Sequence, residues 1–319
     1  METPDTKDRK ILIALDTDAT LTLNQIGKRV RLSKEVVAYR IKNLENKGII
    51  TNYITLSHFA KLGLTHFKLY IKYRNIPESK KKEIIKYLLT LSNLGWLAST
   101  EGIFDLMLSI RFQTIFEFEN FKDELFRKYD KYFHRVEFAI LTEAETKPRY
   151  YIYPPKNERK LFLHCNPSPP EKLDKEDRQV LEALKTSARS TLTQLSNKSK
   201  LSERIIQYRK KQLENSGVIV GYKLAIGYKQ LGYSFFKCFI SFNQMNPTRY
   251  TQLREYVRSH PNIIYWIKVM GSWDLELELE VPSIEEFYKI TNKLRSDFSD
   301  VISTFEATLV SEEHLIAHS

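Results

Sequence analysis

Ser33-Lys-Glu-Val-Val-Ala-Tyr-Arg-Ile-Lys-Asn-Leu-Glu-Asn-Lys-Gly48 is written again 169 residues later as Ser202-Glu-Arg-Ile-Ile-Gln-Tyr-Arg-Lys-Lys-Gln-Leu-Glu-Asn-Ser-Gly217. Each run opens on a serine placed as an N-cap and stops at a glycine. Between them, Val37, Ile41 and Leu44 recur at helical spacing, and Ile206 and Leu213 do the same in the second run. Each run therefore predicts one helix with an apolar inner face.

Working outward, each helix has the same neighbours. Ile11, Leu12 and Leu15 predict a helix before it, and Leu23, Ile26 and Val30 a short one near 22–30. Val180, Leu181 and Leu184, then Leu192 and Leu195, repeat this. Extended stretches follow each glycine, Ile49 to Leu56 and Val218 to Ile226. Three helices with a tight turn before the third, then a β-wing, make a winged helix-turn-helix. Over positions 8–63 a shift of 169 gives 23 identities in 56, which is far above chance and predicts a duplicated multi-element unit.

The back of each half alternates differently. Leu64–Arg74, Leu94–Thr100, Phe104–Phe112 and Tyr132–Leu141 read as strands, with helices over Pro77–Ser92 and Thr114–Tyr129. Tyr233–Asn243, Asn262–Met270, Trp273–Val281 and Val301–Val310 match them, with helices over Pro247–His260 and Ser283–Phe298. The order β-α-β-β-α-β is the ferredoxin-like pattern. Asp274-Leu-Glu-Leu-Glu-Leu-Glu280 alternates with period two, giving one apolar and one acidic face. The fold class is thus α+β: two copies of a winged helix-turn-helix followed by a ferredoxin-like domain. The expected boundaries are 1–57, 58–145, a linker over 146–171, 172–227 and 228–319. Within the linker, Tyr150-Tyr-Ile-Tyr153 and Lys160-Leu-Phe-Leu-His164 flank Pro154-Pro-Lys-Asn157 as a small hairpin, and Asn166-Pro-Ser-Pro-Pro170 reads as a stiff spacer.

Composition agrees with a folded, multi-domain chain of 319 residues, 42% hydrophobic and 28% charged. No apolar run is long enough to span a membrane, no signal segment opens the chain, and two cysteines make no disulfide framework. A soluble, cytoplasmic protein is expected. The net charge of +11 points to a polyanionic partner, double-stranded DNA for this fold. The charge is uneven: residues 170–227 carry +5 and residues 228–319 carry −3.

Leu173-Asp-Lys-Glu-Asp-Arg-Gln-Val-Leu181, Leu201-Ser202, Tyr208-Arg209, Leu213-Glu-Asn-Ser-Gly-Val-Ile219, Gly221-Tyr222 and Leu231-Gly232 resemble the Lrp/AsnC family of transcription regulators. Asp8-Arg9, Leu32-Ser33, Arg40, Leu44-Glu45, Gly48-Ile-Ile50 and Leu62-Gly63 show the same marks, and Gly102-x-x-Asp105 and Gly271-x-x-Asp274 resemble its effector-domain hairpin. The resemblance implies DNA binding by each front part, and dimerisation with amino-acid sensing by each back part. Ordinary members carry one copy per chain. Here one chain would form that pair internally as a pseudo-dimer, and further homo-oligomerisation stays open.

On the first predicted recognition helix Glu35, Ala38, Tyr39, Lys42 and Asn46 face away from the core; on the second, Arg204, Gln207, Tyr208, Lys211 and Asn215 do. Recognition helices enter the major groove by their N-terminal residues. Arg204 suits guanine and Gln207 adenine, while Tyr39, Tyr208, Lys42 and Lys211 suit phosphate. Ser33 and Ser202 cap the helices, Lys34 joins the first set, and Arg40 and Arg209 sit at the edge of the core face. Glu35, Ala38 and Lys42 correspond to Arg204, Gln207 and Lys211, and the differences at the first two positions predict unlike half-sites. Lys210 stands where the first copy has the inward Ile41, its stem expected to line the core.

The candidate effector residues are Thr100, Glu101, Gly102 and Asp105 in one hairpin, and Met270, Gly271, Ser272 and Asp274 in the other. A purely structural reading also fits, with the glycines at φ > 0 and the aspartates accepting turn N–H groups. No cofactor or metal is expected. His314 and His318 have i,i+4 spacing but read as surface residues. Two other functions share the architecture or its charge: a siroheme decarboxylase-like enzyme, which would need His and Arg groups for porphyrin carboxylates, and a weakly specific architectural DNA-binding protein. The chain shows no nucleophile, phosphate-loop or zinc motif, so the reading is non-enzymatic.

Overall fold

The structure, a computed structural model, describes residues 4–155, 159–185, 188–243 and 246–316. Helices α1 (Thr6–Thr17), α2 (Leu23–Val30) and α3 (Lys34–Asn46) form the front. Asp5 and Thr22 close capping boxes on α1 and α2, and Ser33 caps α3 by accepting the Val36 amide. Gly48 follows α3 at φ 66°, the left-handed stop expected there. Helices α6 (Lys175–Leu184), α7 (Leu192–Ser199) and α8 (Glu203–Asn215) are built alike, with Ser202 as the cap of α8 and Gly217 at φ 70°. Lys210 is half-buried, its ammonium 4.7 Å over the Tyr222 ring and 4.0 Å from Glu214.

The expected wings are not separate. Strand β1 (Ile50–Ser57) and strand β7 (Ile219–Ile226) pair antiparallel with each other in a two-stranded ribbon. One extended segment per helix triad has two open edges, and each segment supplies the other's partner. The ribbon also crosses the two cores. Leu224 and Ile226 pack with Ile11, Leu12 and Leu15, whereas Tyr53 and Ala19 pack with Val180, Leu184 and Leu213. Ala19 N–H donates to Tyr222 O at 3.1 Å, and Ala188 N–H to Tyr53 O at 2.7 Å. The helix triads are therefore locked to one another.

The remaining strands are β2 (Thr65–Tyr73), β3 (Leu94–Glu101), β4 (Leu106–Phe112), β5 (Phe133–Thr146), β6 (Phe162–Cys165), β8 (Ser234–Phe242), β9 (Ile263–Gly271), β10 (Leu275–Val281) and β11 (Ile302–Ile316). Their order is β2-β4-β3-β11-β8-β10-β9-β5, and β5 pairs back to β2, so eight strands close a barrel. The protein is a mixed α/β chain with an N-terminal winged helix-turn-helix and a closed β-barrel. Strands β5 and β11 run beyond the expected Leu141 and Val310 because their ends pair with β9 and β3. The hairpin expected between residues 150 and 164 is not formed that way; β6 pairs instead with the end of β5, and Lys156 and Asn157 lie outside the described residues.

Helices α4 (Glu78–Leu89) and α5 (Ile115–Tyr129) cover the apolar outer face of β2–β4; α9 (Pro247–Ser259) and α10 (Ile284–Asp297) cover β8–β10. Pro247 sits in the first turn of α9, while Pro77 is the cap of α4. This covering turns the alternating strand inside out relative to a solvated sheet. Leu275, Leu277, Leu279 and Val281 face the helices, and Glu276 and Glu280, both buried, face the barrel interior.

Candidate nucleic-acid interface and the barrel interior

On α3, Ser33, Lys34, Glu35, Tyr39 and Lys42 are exposed and Ala38 is half-buried; on α8, Ser202, Arg204, Gln207, Tyr208 and Lys211 are exposed. Tyr39 and Tyr208 present 67% and 60% of their surface, unusual for rings with no solvent role. Arg40 and Arg209 are placed differently. The Arg40 guanidinium binds Asp5 and Asp8 at 2.8 Å each, and Arg209 binds Asp174 at 2.8 Å and Glu176 at 2.7 Å. Each arginine braces the third helix of its triad against the first, so its charge is already committed.

One feature escaped the sequence reading: Lys28, Arg31 and Lys34 surround a concavity at the α2–α3 turn with Asn24 and Gly27. A Cβ on Gly27 would stand 2.6 Å from Leu32 O, so the turn closes tightly and brings these cations beside the helix N-terminus. The signal was a cationic run across a turn. At the second triad the residues 169 positions on include Asn197, Lys200 and Glu203, a weaker cluster.

The two hairpins stand where the halves of the barrel join, β3 against β11 and β9 against β5. Asp105 accepts from Lys72 Nζ at 2.8 Å and from Tyr73 N–H at 2.7 Å; Asp274 accepts from Phe242 N–H at 2.8 Å. These amides belong to the neighbouring strands rather than to the turns themselves. Buried Thr100 donates to Phe104 O at 2.8 Å, Glu101 is exposed, and Ser272 donates to Glu137. Gly102 lies at φ 144°, but Gly271 does not adopt a positive φ. Gly271 is glycine for space, since a Cβ there would come 2.5 Å from Phe138 O. Met270 is 66% exposed.

The sequence reading left the barrel interior unassigned. The buried Glu276 accepts from Lys68, Lys237 and the Tyr70 hydroxyl. Burial opposes its charge, but Lys237 and Lys68 outweigh it and hold the carboxyl down at about 2. Burial pushes Lys68 down to about 8, even beside Glu276. Arg149 bridges Glu280 on β10 at 2.8 Å and Asp16 on α1 at 3.4 Å, tying barrel to helix triad. A cavity of about 110 Å³ lies between this interior and the β1–β7 ribbon, lined by Lys223, Lys237, Glu278, Glu313, Trp96 and Tyr265 among others. His66 and His164, which sequence reading left unassigned, also line it, each stacked with Phe59. His314 bonds Ser99 at 2.7 Å, and His318 lies outside the described residues. Among the described residues no group of three or more His, Cys, Asp or Glu is placed to hold a metal, and no helix is long and apolar enough to cross a membrane.

Capped helix triads with exposed third helices, held on one ribbon, define a winged helix-turn-helix protein. Residues 4–51 match the family described as winged helix-turn-helix DNA-binding. The chain is 30% identical over 122 residues to the HTH-type transcriptional regulator LrpC of Bacillus subtilis, spanning 38% of this chain and 83% of LrpC. It is 33% identical over 129 residues to an HTH-type transcriptional regulator of Pyrococcus horikoshii, spanning 40% of this chain and 85% of that protein. The chain belongs to the Lrp/AsnC family of HTH-type transcriptional regulators. Its whole fold is similar to that of the siroheme decarboxylase NirDL, with a TM-score of 0.63 over 98% of this chain and 95% of that one; at 11% identity the likeness is one of fold.

Proposed function

We propose that this chain is a sequence-specific DNA-binding regulator carrying both half-site readers on one polypeptide. In this reading the chain is a tandem duplication, with winged helices over 1–57 and 172–227 and ferredoxin-like domains over 58–145 and 228–319. The strand orders β5-β2-β4-β3 and β11-β8-β10-β9 support it, because they are the same order taken twice. The observation that carries the reading is the shared β1–β7 ribbon, which sets the spacing of two exposed recognition helices without a second chain. Two readers so joined suit half-sites about one helical turn, ~34 Å, apart.

Glu35 and Ala38 read one half-site, and Arg204 and Gln207 the other, so the operator is an imperfect palindrome. Ser33, Lys34, Tyr39, Lys42, Ser202, Tyr208 and Lys211 take the neighbouring phosphates; Arg40 and Arg209 hold the helices in place. The hairpins stand at the seams, so a small effector such as an amino acid held by Glu101 and Gly102, or by Met270 and Ser272, would act on the join between halves.

Selection of binding sites from random DNA tests this. The expected consensus is bipartite with unlike halves, and Arg204→Ala relaxes one position of one half at a cost of about 1–3 kcal/mol. A symmetric consensus overturns the unlike half-sites. Equal binding to all sequences means an architectural protein. The fold of NirDL favours a second reading, a siroheme decarboxylase-like enzyme. A tetrapyrrole exceeds the 110 Å³ cavity, since even drug-sized ligands fill ~300–1,000 Å³. A Soret band that tracks this protein on titration with an iron porphyrin would restore that reading.

A further inference from the structure

Two strands hold corresponding places in the barrel and carry opposite chemistry. Strand β4 pairs with β2 so that His66, Lys68 and Tyr70 stand opposite Arg111, Ser109 and Met107. Strand β10 pairs with β8 in the same register, and there Phe235, Lys237 and Phe239 stand opposite Glu280, Glu278 and Glu276. The same strand geometry is thus closed once without an interior carboxylate and once with three. Packing does not require the acids. Buried ion pairs also gain little over apolar replacements, because desolvation offsets their attraction. A fold that carries them on one side only is keeping charge for another purpose.

The cavity collects that asymmetry. Ile54 and Lys223, which lie 169 positions apart, both line it, so the ribbon adds one cation from one strand only. Glu313 adds one carboxylate on β11, where Ala144 stands 169 positions earlier. Lys223 Nζ donates to Lys147 O at 2.7 Å, and Asp16 lies at 3.9 Å. Glu313 accepts from Trp96 Nε1 at 2.8 Å. Among the described residues Glu313 has no ion pair, and Lys223 has only the 3.9 Å contact with Asp16. Burial lowers Lys223 to about 8; burial, reinforced by Glu278 and Glu280, pushes Glu313 up to about 7. Both shifts are relieved when an opposite charge arrives.

We infer that this cavity is a binding site for a glycine-sized zwitterion, its ammonium directed to Glu313 and its carboxylate to Lys223. Size limits the ligand, since about 150 Å³ holds the six heavy atoms of benzene, and on that scale 110 Å³ holds about four to five. The aromatic walls, Trp96 and Tyr265, flank the two charges. The site is separate from the hairpins and does not depend on the DNA reading.

The test is calorimetric titration of the full chain with glycine, β-alanine and L-alanine, with L-leucine as the size control and acetate and methylammonium as half-ligands. Glycine is expected to bind, β-alanine and L-alanine to bind more weakly, L-leucine not to bind at this site, and each half-ligand to bind more weakly than glycine. Glu313→Gln and Lys223→Ile, the second copying Ile54, are expected to weaken binding roughly ten- to a hundredfold. Lys289→Ala, exposed on α10, is expected to leave it unchanged, and Glu101→Ala and Met270→Ala reveal any separate binding at the hairpins. Unfolding curves check that each variant folds, and a fluorine label on Trp96 reports occupancy directly. Three results overturn the inference: no binding of any small zwitterion, a half-ligand as tight as the whole, or loss in the hairpin variants with none in Glu313→Gln.

Discussion

Glu276→Met is the substitution that most directly separates charge kept for the fold from charge kept for use. Methionine is what β4 carries in the corresponding register, opposite Tyr70. In the native chain Glu276 accepts from Lys68, Lys237, Tyr70 and Trp273, with no solvent exposure. Removing the acid takes from Lys68 the one ion pair it makes among the described residues, while Lys237 retains Glu278 at 2.6 Å. One buried charge loses its partner, which costs about 3–5 kcal/mol. Adding Lys68→Met removes the stranded charge, so the double variant should recover to within about 1–2 kcal/mol of the native chain, or exceed it. The assay is urea unfolding followed by tryptophan fluorescence and by circular dichroism. The pH dependence has a definite sign. Glu276 is held at about 2, below its ordinary value of 4.5, so its stabilisation is complete above 4.5 and is lost as pH falls through about 2. The cost of Glu276→Met should therefore be steady from pH 5 to 7 and shrink toward pH 2. A double variant as unstable as the single one would refute the reasoning, because the interior charge would then be holding the barrel together.

Three further outcomes follow from the same contacts. Arg149→Met leaves the carboxylates of Asp16 and Glu280 without their arginine, and should cost about 3–5 kcal/mol in urea unfolding. Burial lowers Lys147 to about 7 and Lys68 and Lys223 to about 8. Unfolded lysines hold their protons to about 10.4, so raising pH from 7 to 9 should raise stability, by about 1–2 kcal/mol per lysine; a flat or falling melting temperature over that range would contradict it. Gly27→Val should destabilise the first helix triad by about 1–3 kcal/mol because its Cβ meets Leu32 O. Gly27→Ser should cost less, since Ser196 sits 169 residues on with its hydroxyl bonded to Leu201 O at 2.6 Å; equal losses in the two variants would undo that comparison.

The helix triads were legible from the sequence because local signals decide them. Ser33, Gly48, Ser202 and Gly217 act on their own neighbours, and the caps form as the residue types require. The strands were legible as strands, but their partners were not. That Ile50–Ser57 would pair with Ile219–Ile226 depends on two edges some 170 residues apart finding each other, and no local residue announces it. The interior site was hidden for a related reason. Period-two alternation in Leu275–Val281 separates two faces but does not say which one meets water. Helices α9 and α10 decide that by covering the leucines, and the glutamates are left with the inside. Arg40 and Arg209 were visible at the edge of a helix wheel, yet only the packing of α1 and α6 shows the carboxylates that hold them.

On the proposed duplication, joining the two halves in one chain changes what the barrel can contain. Two identical chains around a twofold axis must repeat every residue on both sides. A glutamate stripe on β10 would then face a glutamate stripe on β4, and each extra carboxylate would need its own buried cation at several kcal/mol of desolvation. Within one chain the glutamate stripe stands on β10 and not on β4, and Lys68 and Lys237 converge from both halves on the single carboxylate of Glu276. The same freedom acts on the outside, where Lys34-Glu35 on one reader becomes Glu203-Arg204 on the other. Unlike readers and an unsymmetrical interior are thus two consequences of one covalent link. If the operator proved symmetric while the interior remained one-sided, divergence would have been confined to the barrel, and its charge would have to be explained by a ligand alone.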